Sequence, residues 1–290
     1  MKKVKKIDLG AYAFMFPGSL IYLSVIIFPV FYSFYISMFE WNGIGQMKFV
    51  GLENYVKLVT TDQVFPIAIK NNLIWIVLTV VFTTGVALIF AVLLNRPFHG
   101  RTFFRGFYYF PAVIAPIAVG ITWRWVYEPN IGFINQFFKA IGVPFVQSWL
   151  SDPNTSLYAT FIASMWQAIG QPMILFLAGL QAVPSDVLEA SRIDGAGPFK
   201  QFFYVTVPLL KETFVIVLAT QIVSAMKVFD IIQSLTGGGP NNSTEMMATY
   251  MYSQTFQYSN VGMGTAGACV MVLIMMIVIV PYVAFTARDD

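Results

Sequence analysis

The stretch NLIWIVLTVVFTTGVALIFAVLL, residues 72–94, runs for 23 residues without a charged side chain. At about 1.5 Å per residue, a helix of this length crosses the ~30 Å hydrocarbon core of a bilayer. Polar residues in the stretch are limited to one asparagine and three threonines. The stretch therefore predicts a transmembrane helix, and it makes membrane insertion the first question for the rest of the chain.

The composition of the whole chain agrees with a membrane protein. Of its 290 residues, 57% are hydrophobic and 11% are charged, whereas soluble domains are about 25% charged. The strand alternation, amphipathic helices and glycine turns of a soluble enzyme of this length are absent. A lone cysteine, Cys269, excludes an intramolecular disulfide. Lipid is thus expected to be the main solvent.

Five further apolar runs reach the length that a membrane span requires. The first run is too long for a signal peptide and lacks a small-residue cleavage site, so we expect it to be retained. The sequence predicts an all-α membrane protein with six transmembrane helices in a single domain. The predicted spans are about Ala11–Met38, Asn72–Leu94, Gly106–Tyr127, Leu157–Ala182, Leu209–Ile232 and Gly262–Thr286.

Prolines interrupt several of these spans, including the first, third and fourth. In lipid, such breaks persist only where neighbouring protein satisfies the freed backbone groups, which suits a bundle that moves or lines a cavity. The prolines of these three spans are Pro17 and Pro29 in the first span, Pro111 and Pro116 in the third, and Pro172 in the fourth.

The distribution of basic residues predicts the orientation. Four lysines fall in the segments that would lie outside: Lys48, Lys57, Lys70 and Lys139. Eleven basic residues fall in the inner segments: Lys2, Lys3, Lys5, Lys6, Arg96, Arg101, Arg105, Arg192, Lys200, Lys211 and Arg288. By the positive-inside rule, both termini and the loop Val183–Pro208 are expected in the cytoplasm.

Within this loop, the ten residues Glu189–Pro198 hold three charged residues, two glycines and a proline. Ser185–Ile193 carries a helix start signal with acids in its first turns, so it predicts a short amphipathic helix. Gly195, Gly197 and Pro198 then favour a sharp turn. A helix, a tight turn and a second helix would suit docking into a groove on another protein. The alternative is an ordinary solvated loop between two spans.

Several motifs resemble one family. EASRIDGAG, starting at Glu189, followed by VPL at Val207, resembles the EAA loop of permease subunits in binding-protein-dependent ABC importers, with serine in place of the second alanine. FDIIQSLTGGGP at Phe229–Pro240 resembles the segment after the fifth span in the maltose and multiple-sugar branch. FPVFYSFYISMFEW and FVGLENYVKL near the start are also similar to that branch.

The resemblance implies a type I ABC importer permease fold and a partner for the loop. In such importers a cytoplasmic ATPase dimer closes on ATP, and the loop helix sits in a cleft of one ATPase subunit, so that rigid-body motion reaches the membrane bundle. Glu189 is then the expected anchor to a basic group, and Asp194 is expected to cap or brace the turn. The expected coupling residues are Glu189, Ala190, Ser191, Asp194, Gly195, Ala196, Gly197 and Pro208.

Polar side chains in the fourth span are candidates for a sugar pathway. Ser164, Gln167 and Gln171 recur at helical spacing beside Trp166. Sugars are bound by amide and hydroxyl hydrogen bonds and by an aromatic face, and the resemblance places sugar contacts in this span. The alternative is that these amides only join helices.

A second candidate set lies at the end of the predicted fifth span: Lys227, Phe229 and Asp230. Charges inside spans are costly and often functional, but Lys227 and Asp230 could equally form an i,i+3 ion pair. The resemblance favours a role in the pathway, although Met226 to Val228 replace the asparagines of the family pattern.

Charge leaves the kind of sugar open. Arg124 and Glu128 predict an i,i+4 ion pair at the outer end of the third span, yet Arg124 and Lys227 together would also suit an acidic saccharide. Neutral oligosaccharides remain equally compatible. No phosphate-binding loop, metal-ligand spacing or nucleophile–base pairing is present. We therefore expect a non-catalytic subunit that binds no cofactor or metal, with ATP and Mg²⁺ used by the partner ATPase.

Two functions remain. The first is a permease subunit in a bacterial inner or plasma membrane, which works with a second homologous permease, two ATPase subunits and an extracellular or periplasmic solute-binding protein. The second is a stand-alone, ion-driven sugar carrier, which would require internal repeats or intramembrane acid clusters. The basic inner segments lack a DNA-binding framework, so lipid head groups, and not nucleic acid, are their expected partner.

Overall fold

A computed structural model describes residues 9–143 and 146–286. The four N-terminal lysines and Arg288, which entered the orientation argument, lie outside the described residues. The chain divides into two compact units. One contains the residues up to Thr61 together with Met251–Val270, and the other contains Asp62–Tyr250 together with the residues from Met271 onward.

The first unit begins with a long apolar helix and a small hairpin. Its elements are α1 (Leu9–Tyr22), α2 (Phe28–Ile36), β1 (Phe39–Glu40), β2 (Lys48–Phe49) and α3 (Glu53–Thr60), with a π-helical turn Leu23–Ile27 between α1 and α2. The buried amide of Asn54 donates to the carbonyl oxygens of Ser37 (2.8 Å) and Phe39 (2.9 Å). This asparagine therefore ties α3 to the end of the long helix.

The second unit contains most of the helices. They are α4 (Val64–Leu78), α5 (Thr84–Asn95), α6 (Arg101–Tyr109), α7 (Pro116–Val126), α8 (Phe133–Ala140), α9 (Ser156–Ala168), α10 (Gly170–Ala182), α11 (Ser185–Ile193), α12 (Pro198–Gln201), α13 (Val207–Leu209), α14 (Lys211–Met226) and α15 (Asp230–Leu235). Two helices run through residues of both units: α16 (Met247–Tyr252) and α17 (Val261–Thr286). Short segments of other helix types join some of these helices. Three are π-helical, Thr79–Thr83, Phe202–Thr206 and Ser253–Gln257, and Phe110–Val113 is a 3₁₀ helix.

Among the described residues, three helices have the length and apolarity of membrane spans, and the number rises to six if each bent pair is one span. Three are continuous helices: Phe14–Ile36, Val64–Asn95 and Val261–Tyr282. Three are bent pairs: Arg101–Val113 with Pro116–Val126, Ser156–Ala168 with Gly170–Ala182, and Pro198–Leu209 with Lys211–Met226. The predicted fold class, an all-α membrane protein with six spans, is thus confirmed.

The third span differs most from its prediction. Instead of one helix over Gly106–Tyr127, two segments meet at 98°. The chain is extended at Ile114 (ψ 136°) and Ala115 (ψ 132°). The break lies directly before Pro116, because the proline ring disfavours the helical conformation in the residue that precedes it.

The fifth span is also shorter than predicted. In place of Leu209–Ile232, the helix α14 ends at Met226, and a separate helix starts at Asp230. At its beginning, α14 is inclined by 70° to the segment Pro198–Leu209, with the fully buried Leu210 at the break. Lys227 therefore caps the end of a helix and does not lie inside one.

The second span begins earlier than its hydropathy suggests. Asp62 accepts hydrogen bonds from the backbone N–H groups of Val64 and Phe65, both 2.8 Å, through Oδ1. An aspartate in this position satisfies donors that the first helical turn leaves free. Helix α4 consequently starts eight residues before the predicted boundary at Asn72.

Close packing of α5 on α10 builds the core nearest the polar loop. Ala87 and Ala91 on α5 are fully buried in a cluster with Met173, Phe176 and Leu177 of α10. Small residues four apart let two helices approach closely, which is the main source of helix association in lipid. The ends of these two helices form the platform on which α11 and α12 lie.

Candidate functional site

The polar loop contains the predicted short helix. Helix α11 spans Ser185–Ile193 and follows Pro184, whose backbone is extended (ψ 130°). Asp186 lies in the first turn and Arg192 in the last, each at the end where its charge interacts favourably with the helix dipole. The bounds agree with the sequence prediction.

A Schellman turn ends this helix. The Ala196 N–H donates to the carbonyl oxygen of Ser191 (2.9 Å), and the Gly195 N–H donates to that of Arg192 (3.0 Å). Gly195 has φ +83°, a conformation that glycine adopts without steric cost. Gly197, in contrast, is extended (φ −66°, ψ 166°) and precedes Pro198 at the start of α12. Of the two glycines, only Gly195 therefore has a backbone conformation that favours glycine.

A glutamine joins the two halves of the loop. The Gln201 side-chain amide donates to the carbonyl oxygen of Leu188 and to the Ser191 Oγ, both at 2.6 Å. Ser191 in turn donates to the Leu188 carbonyl oxygen at 2.8 Å. The serine that replaces the second alanine of the motif thus holds α11 against α12. The sequence analysis did not identify Gln201. The only signal for its role in the sequence was the hydroxyl of Ser191, to which it donates.

The remaining motif residues face outward. Glu189, Ala190, Asp194 and Gly197 are exposed, and the Ile193 side chain is 86% exposed. Asp194 is the C-cap residue of α11, and within the described chain its carboxylate makes no hydrogen bond. The backbone closes the turn instead. An exposed acid at Glu189 beside an exposed apolar group is a surface with the chemistry of a docking site.

Pro208 lies at the far end of the loop. It is the middle residue of α13, and the chain bends two residues later at Leu210. The N–H of Leu210 donates to the carbonyl oxygens of Thr206 and Val207, both at 3.1 Å. This bend connects the loop directly to α14.

The candidate residues of the fourth span lie on two helical segments. The chain bends by 46° between Ala168 and Gly170, and Pro172 has no N–H to donate to the carbonyl of residue 168. Ser164 and Gln167 therefore lie on α9 and Gln171 on α10, so the expected shared face of one helix is wrong. Gln171 is exposed and Ser164 is half-buried.

Two side chains of this set contact the broken third span. The Gln167 Nε2 donates to the carbonyl oxygen of Ile114 at 2.7 Å. That carbonyl belongs to the extended break, where helical hydrogen bonding is lost. Trp166 is 39% exposed and meets Trp123 edge to face, with ring centroids 5.9 Å apart. The Gln167 amide thus provides a hydrogen-bond donor for a backbone carbonyl group at the break, while part of the Trp166 side chain remains exposed.

The second candidate set lies in the break between α14 and α15. Lys227 and Asp230 are both exposed, and no salt bridge joins them among the described residues. The alternative of an i,i+3 pair on one helix is wrong because the helix ends before Asp230 is reached. Phe229, Asp230, Gln233 and Ser234 line a small cavity of about 140 Å³ together with Ile117.

The predicted pair Arg124–Glu128 is also not formed. The Arg124 Nε donates to the carbonyl oxygen of Leu235 at 3.1 Å, which caps the end of α15. The Glu128 carboxylate accepts the backbone N–H groups of Ile131 and of Asn130 (2.7 Å). These bonds, that of Ile131 foremost, hold the pKa of Glu128 below its ordinary value. Arg124 and Glu128 thus each form hydrogen bonds with backbone groups and not with each other.

Two asparagines that the sequence analysis did not single out fix the loop that follows α15. The Asn71 amide donates to the carbonyl oxygens of Ser243 (3.1 Å) and Glu245 (2.9 Å). Asn72, 1% exposed, donates to the Ala225 carbonyl oxygen (3.1 Å) and accepts the Met247 N–H (2.8 Å). An adjacent asparagine pair at the edge of an apolar run was the available signal.

A buried acid completes this loop. Glu245 is 6% exposed and accepts a hydrogen bond from the Thr249 hydroxyl at 2.8 Å. Its carboxylate lies so close to Gly238 that a β-carbon there would fall 2.0 Å from Oε2. Burial raises the pKa of Glu245, and the Thr249 hydrogen bond partly offsets this. Among the described residues, no group of three histidine, cysteine or acidic side chains could hold a metal ion.

Comparison with known proteins gives consistent matches along the chain. A family model described as the binding-protein-dependent transport system inner membrane component matches residues 83–288. The multiple sugar-binding transport system permease protein MsmF of Streptococcus mutans is 32% identical over 91% of this chain and 90% of its own length. The trehalose/maltose transport system permease protein MalF of Thermococcus litoralis is 33% identical over 96% and 92%, respectively.

Solved structures also have a fold similar to that of this chain. A chain of a bacterial ABC transporter involved in the import of the acidic polysaccharide alginate has a TM-score of 0.84. The match covers 97% of this chain and 96% of the other at 20% identity. A further structure of a bacterial alginate transporter, in complex with an alginate pentasaccharide-bound periplasmic protein, gives a TM-score of 0.85. At this identity the match shows a common fold.

Proposed function

The chain belongs to the family of inner membrane components of binding-protein-dependent transport systems, and on this premise we propose that it forms half of a carbohydrate pathway in an ATP-driven importer. Relatives named for multiple sugars, for starch degradation products and for trehalose and maltose support a saccharide as the substrate. The chain itself is a non-catalytic permease subunit in this proposal.

The assembly that follows has five members. A second homologous permease completes the pathway, two ATPase subunits bind ATP and Mg²⁺ in the cytoplasm, and a solute-binding protein delivers the sugar from outside. The permease is a single membrane domain of the bacterial inner or plasma membrane with both termini in the cytoplasm.

The observation that carries the proposal is the surface of helix α11. It is a rigid, nine-residue helix, locked by the Schellman turn and by Gln201, and it presents Glu189 outward. Because its far end continues through a bend at Leu210 into α14, a push on α11 is transmitted to a membrane span. Rigid coupling of this kind passes motion between two states without a chemical step.

The pathway residues are proposed on different grounds. Ser164, Trp166 and Gln171 on the fourth span offer a hydroxyl, a partly exposed indole and an exposed amide. Lys227 and Asp230 lie on either side of the break after α14, with Phe229 between them, and neither charged side chain forms a salt bridge among the described residues. Sugars are recognised by such combinations of aromatic faces and hydrogen-bonding groups. Gln167 belongs to this set through its position, and its amide supports the pathway by holding the break at Ile114.

Purification and reconstitution test the proposal. The chain, co-expressed with a candidate partner permease, ATPase and binding protein from the same organism, is expected to co-elute with an ATP-hydrolysing subunit. In proteoliposomes, sugar uptake should require ATP on the ATPase side and the binding protein on the other. Uptake by this chain alone, driven by an ion gradient without ATP, would instead establish a secondary carrier. Melting curves of the binding protein with neutral and acidic oligosaccharides identify the sugar.

A further inference from the structure

A large cavity lies beneath the polar loop. It has a volume of about 720 Å³ and is bounded by the ends of α5 and α10 on one side and by α11, α12 and the following turn on the other. Its walls are mainly apolar, with contributions from Val92, Leu180 and Phe202. A cavity of this size holds a ligand as large as a lipid headgroup with the first carbons of its chains.

Two arginines are among the residues that line this cavity. Arg96 follows the last residue of α5, and Arg192 lies in the last turn of α11. No carboxylate lines the cavity, and neither arginine forms an ion pair within 4 Å in the described part of the chain. Both arginines are exposed, so each is accessible to an anion. The planar fork of a guanidinium suits phosphate in particular.

Aromatic side chains extend from the rim of the cavity. Phe199, which lines it, is 82% exposed, and Phe203 and Tyr204 in the next turn are 56% and 79% exposed. The Phe199 and Phe203 rings stack with centroids 6.4 Å apart. Exposed aromatic residues beside basic ones are characteristic of segments that lie at the membrane–water interface. The loop thus has one half, α11, that presents an acid and another that presents aromatic rings.

We propose that this cavity binds an acidic phospholipid of the cytoplasmic leaflet. Arg96 and Arg192 hold the headgroup phosphate, the apolar walls receive the first acyl carbons, and the aromatic residues after Pro198 border the chains. Basic pockets beside membrane helices on the cytoplasmic side commonly bind anionic headgroups. The inference rests on the proposed function, which places the loop at the cytoplasmic face. It assigns Glu189 of α11 to the protein partner, and Arg192 together with the aromatic half of the loop to lipid.

Lipid binding can be measured directly by native mass spectrometry. The purified complex, and the chain alone, are titrated with phosphatidylglycerol or phosphatidylcholine in detergent. Since each basic residue near an anionic surface contributes about a factor of five in affinity, Arg96→Gln with Arg192→Gln should weaken phosphatidylglycerol binding about 25-fold. Phosphatidylcholine binding should not change. The matched control, Arg101→Gln with Lys200→Gln, removes two basic residues that do not line the cavity.

Conservative variants keep the test independent of folding. Arg96→Lys with Arg192→Lys should retain phosphatidylglycerol binding within a few-fold, and free inorganic phosphate at equal concentration should not displace the lipid. Three results would overturn the proposal: equal phosphatidylglycerol binding by the glutamine pair, an equal loss in the control pair, or release of the lipid when the ATPase subunits join. The last would assign the cavity to a protein interface. Failure of the chain to co-elute with an ATPase would instead contradict the proposed function alone.

Discussion

At the scale of single residues, the two glycines of the polar loop differ in the backbone conformation that each adopts. Gly195 occupies the left-handed region at φ +83° and donates to the Arg192 carbonyl oxygen. Gly197 has an ordinary φ of −66°. A β-carbon would meet nothing within 4 Å at either position. The two sites therefore differ in backbone strain alone.

Alanine substitutions at these two glycines should distinguish the effect of backbone strain from the effect of an added β-carbon. Gly195→Ala places a β-carbon in the left-handed conformation, at a cost of about 1–2 kcal/mol, and should lower uptake about tenfold without lowering the amount of protein in the membrane. Gly195→Asn should recover part of this loss because asparagine tolerates the conformation better. Gly197→Ala is the matched control and should transport normally. Equal effects of the two alanine variants on reconstituted uptake would contradict this account of the turn.

The buried acid Glu245 makes a second prediction for a single residue. Its pKa is raised by burial above the ordinary value of 4.5, so the folded chain binds this proton more tightly than the unfolded chain does. The stabilisation from the bound proton is therefore complete below pH 4.5 and is lost as the pH rises through the folded pKa.

Thermal melting of the detergent-solubilised chain checks the effect of Glu245. The wild type should lose stability as the pH rises above 4.5, and Glu245→Gln, which keeps the shape but cannot ionise, should flatten this dependence. Glu212→Gln, which removes one exposed acid, is the matched control for the loss of a carboxylate. An unaltered pH dependence in Glu245→Gln would show that another group titrates.

At the scale of elements, broken helices are the main feature of the second unit. The third span turns by 98° before Pro116, and the fourth bends by 46° before Pro172. Backbone groups freed at such breaks must be satisfied by neighbours when the surroundings are lipid. Gln167 does so for the Ile114 carbonyl, whereas Gln171, two residues beyond the bend, is exposed and makes no side-chain hydrogen bond among the described residues.

The two glutamines should consequently respond differently to the same substitution. Gln167→Leu leaves the Ile114 carbonyl unsatisfied, which costs about 1–3 kcal/mol, and should lower the melting temperature and uptake together. Gln171→Leu should leave the melting temperature unchanged and raise the sugar concentration needed for half-maximal uptake. Melting curves and uptake assays of the two variants distinguish the structural role expected for Gln167 from the pathway role proposed for Gln171. A large stability loss in Gln171→Leu would remove it from the pathway.

At the scale of the whole molecule, hydropathy predicts the number of spans well and their interruptions poorly. The uncharged run after Asn72 and the apolar run after Gly262 are continuous helices, as expected from length alone. The breaks at Ile114 and Met226 depend on neighbours: a proline ring, the Gln167 amide and the Asn72 side chain that holds the carbonyl oxygen of Ala225. Such tertiary partners leave little trace in a single sequence.

The candidate sites divide in the same way. The loop helix Ser185–Ile193 and the turn at Gly195 are local structures, so capping signals and glycine sufficed to predict them. The ion pairs Lys227–Asp230 and Arg124–Glu128 assumed unbroken helices, and they fail where the helix ends or where a backbone group offers a better partner. Gln201 and Asn72 act across long sequence separations, which local patterns do not encode.

The coupling role of helix α11 is the central claim, and charge reversal at Glu189 tests it most directly. The measurement is ATP-driven sugar uptake, with ATP hydrolysis stimulated by the loaded binding protein, in proteoliposomes of the assembled complex. Glu212→Lys, which reverses an exposed acid outside α11, is the matched control. The account predicts that Glu189→Lys inserts normally but shows neither uptake nor stimulated hydrolysis, while Glu212→Lys remains close to wild type. Normal uptake by Glu189→Lys would contradict it.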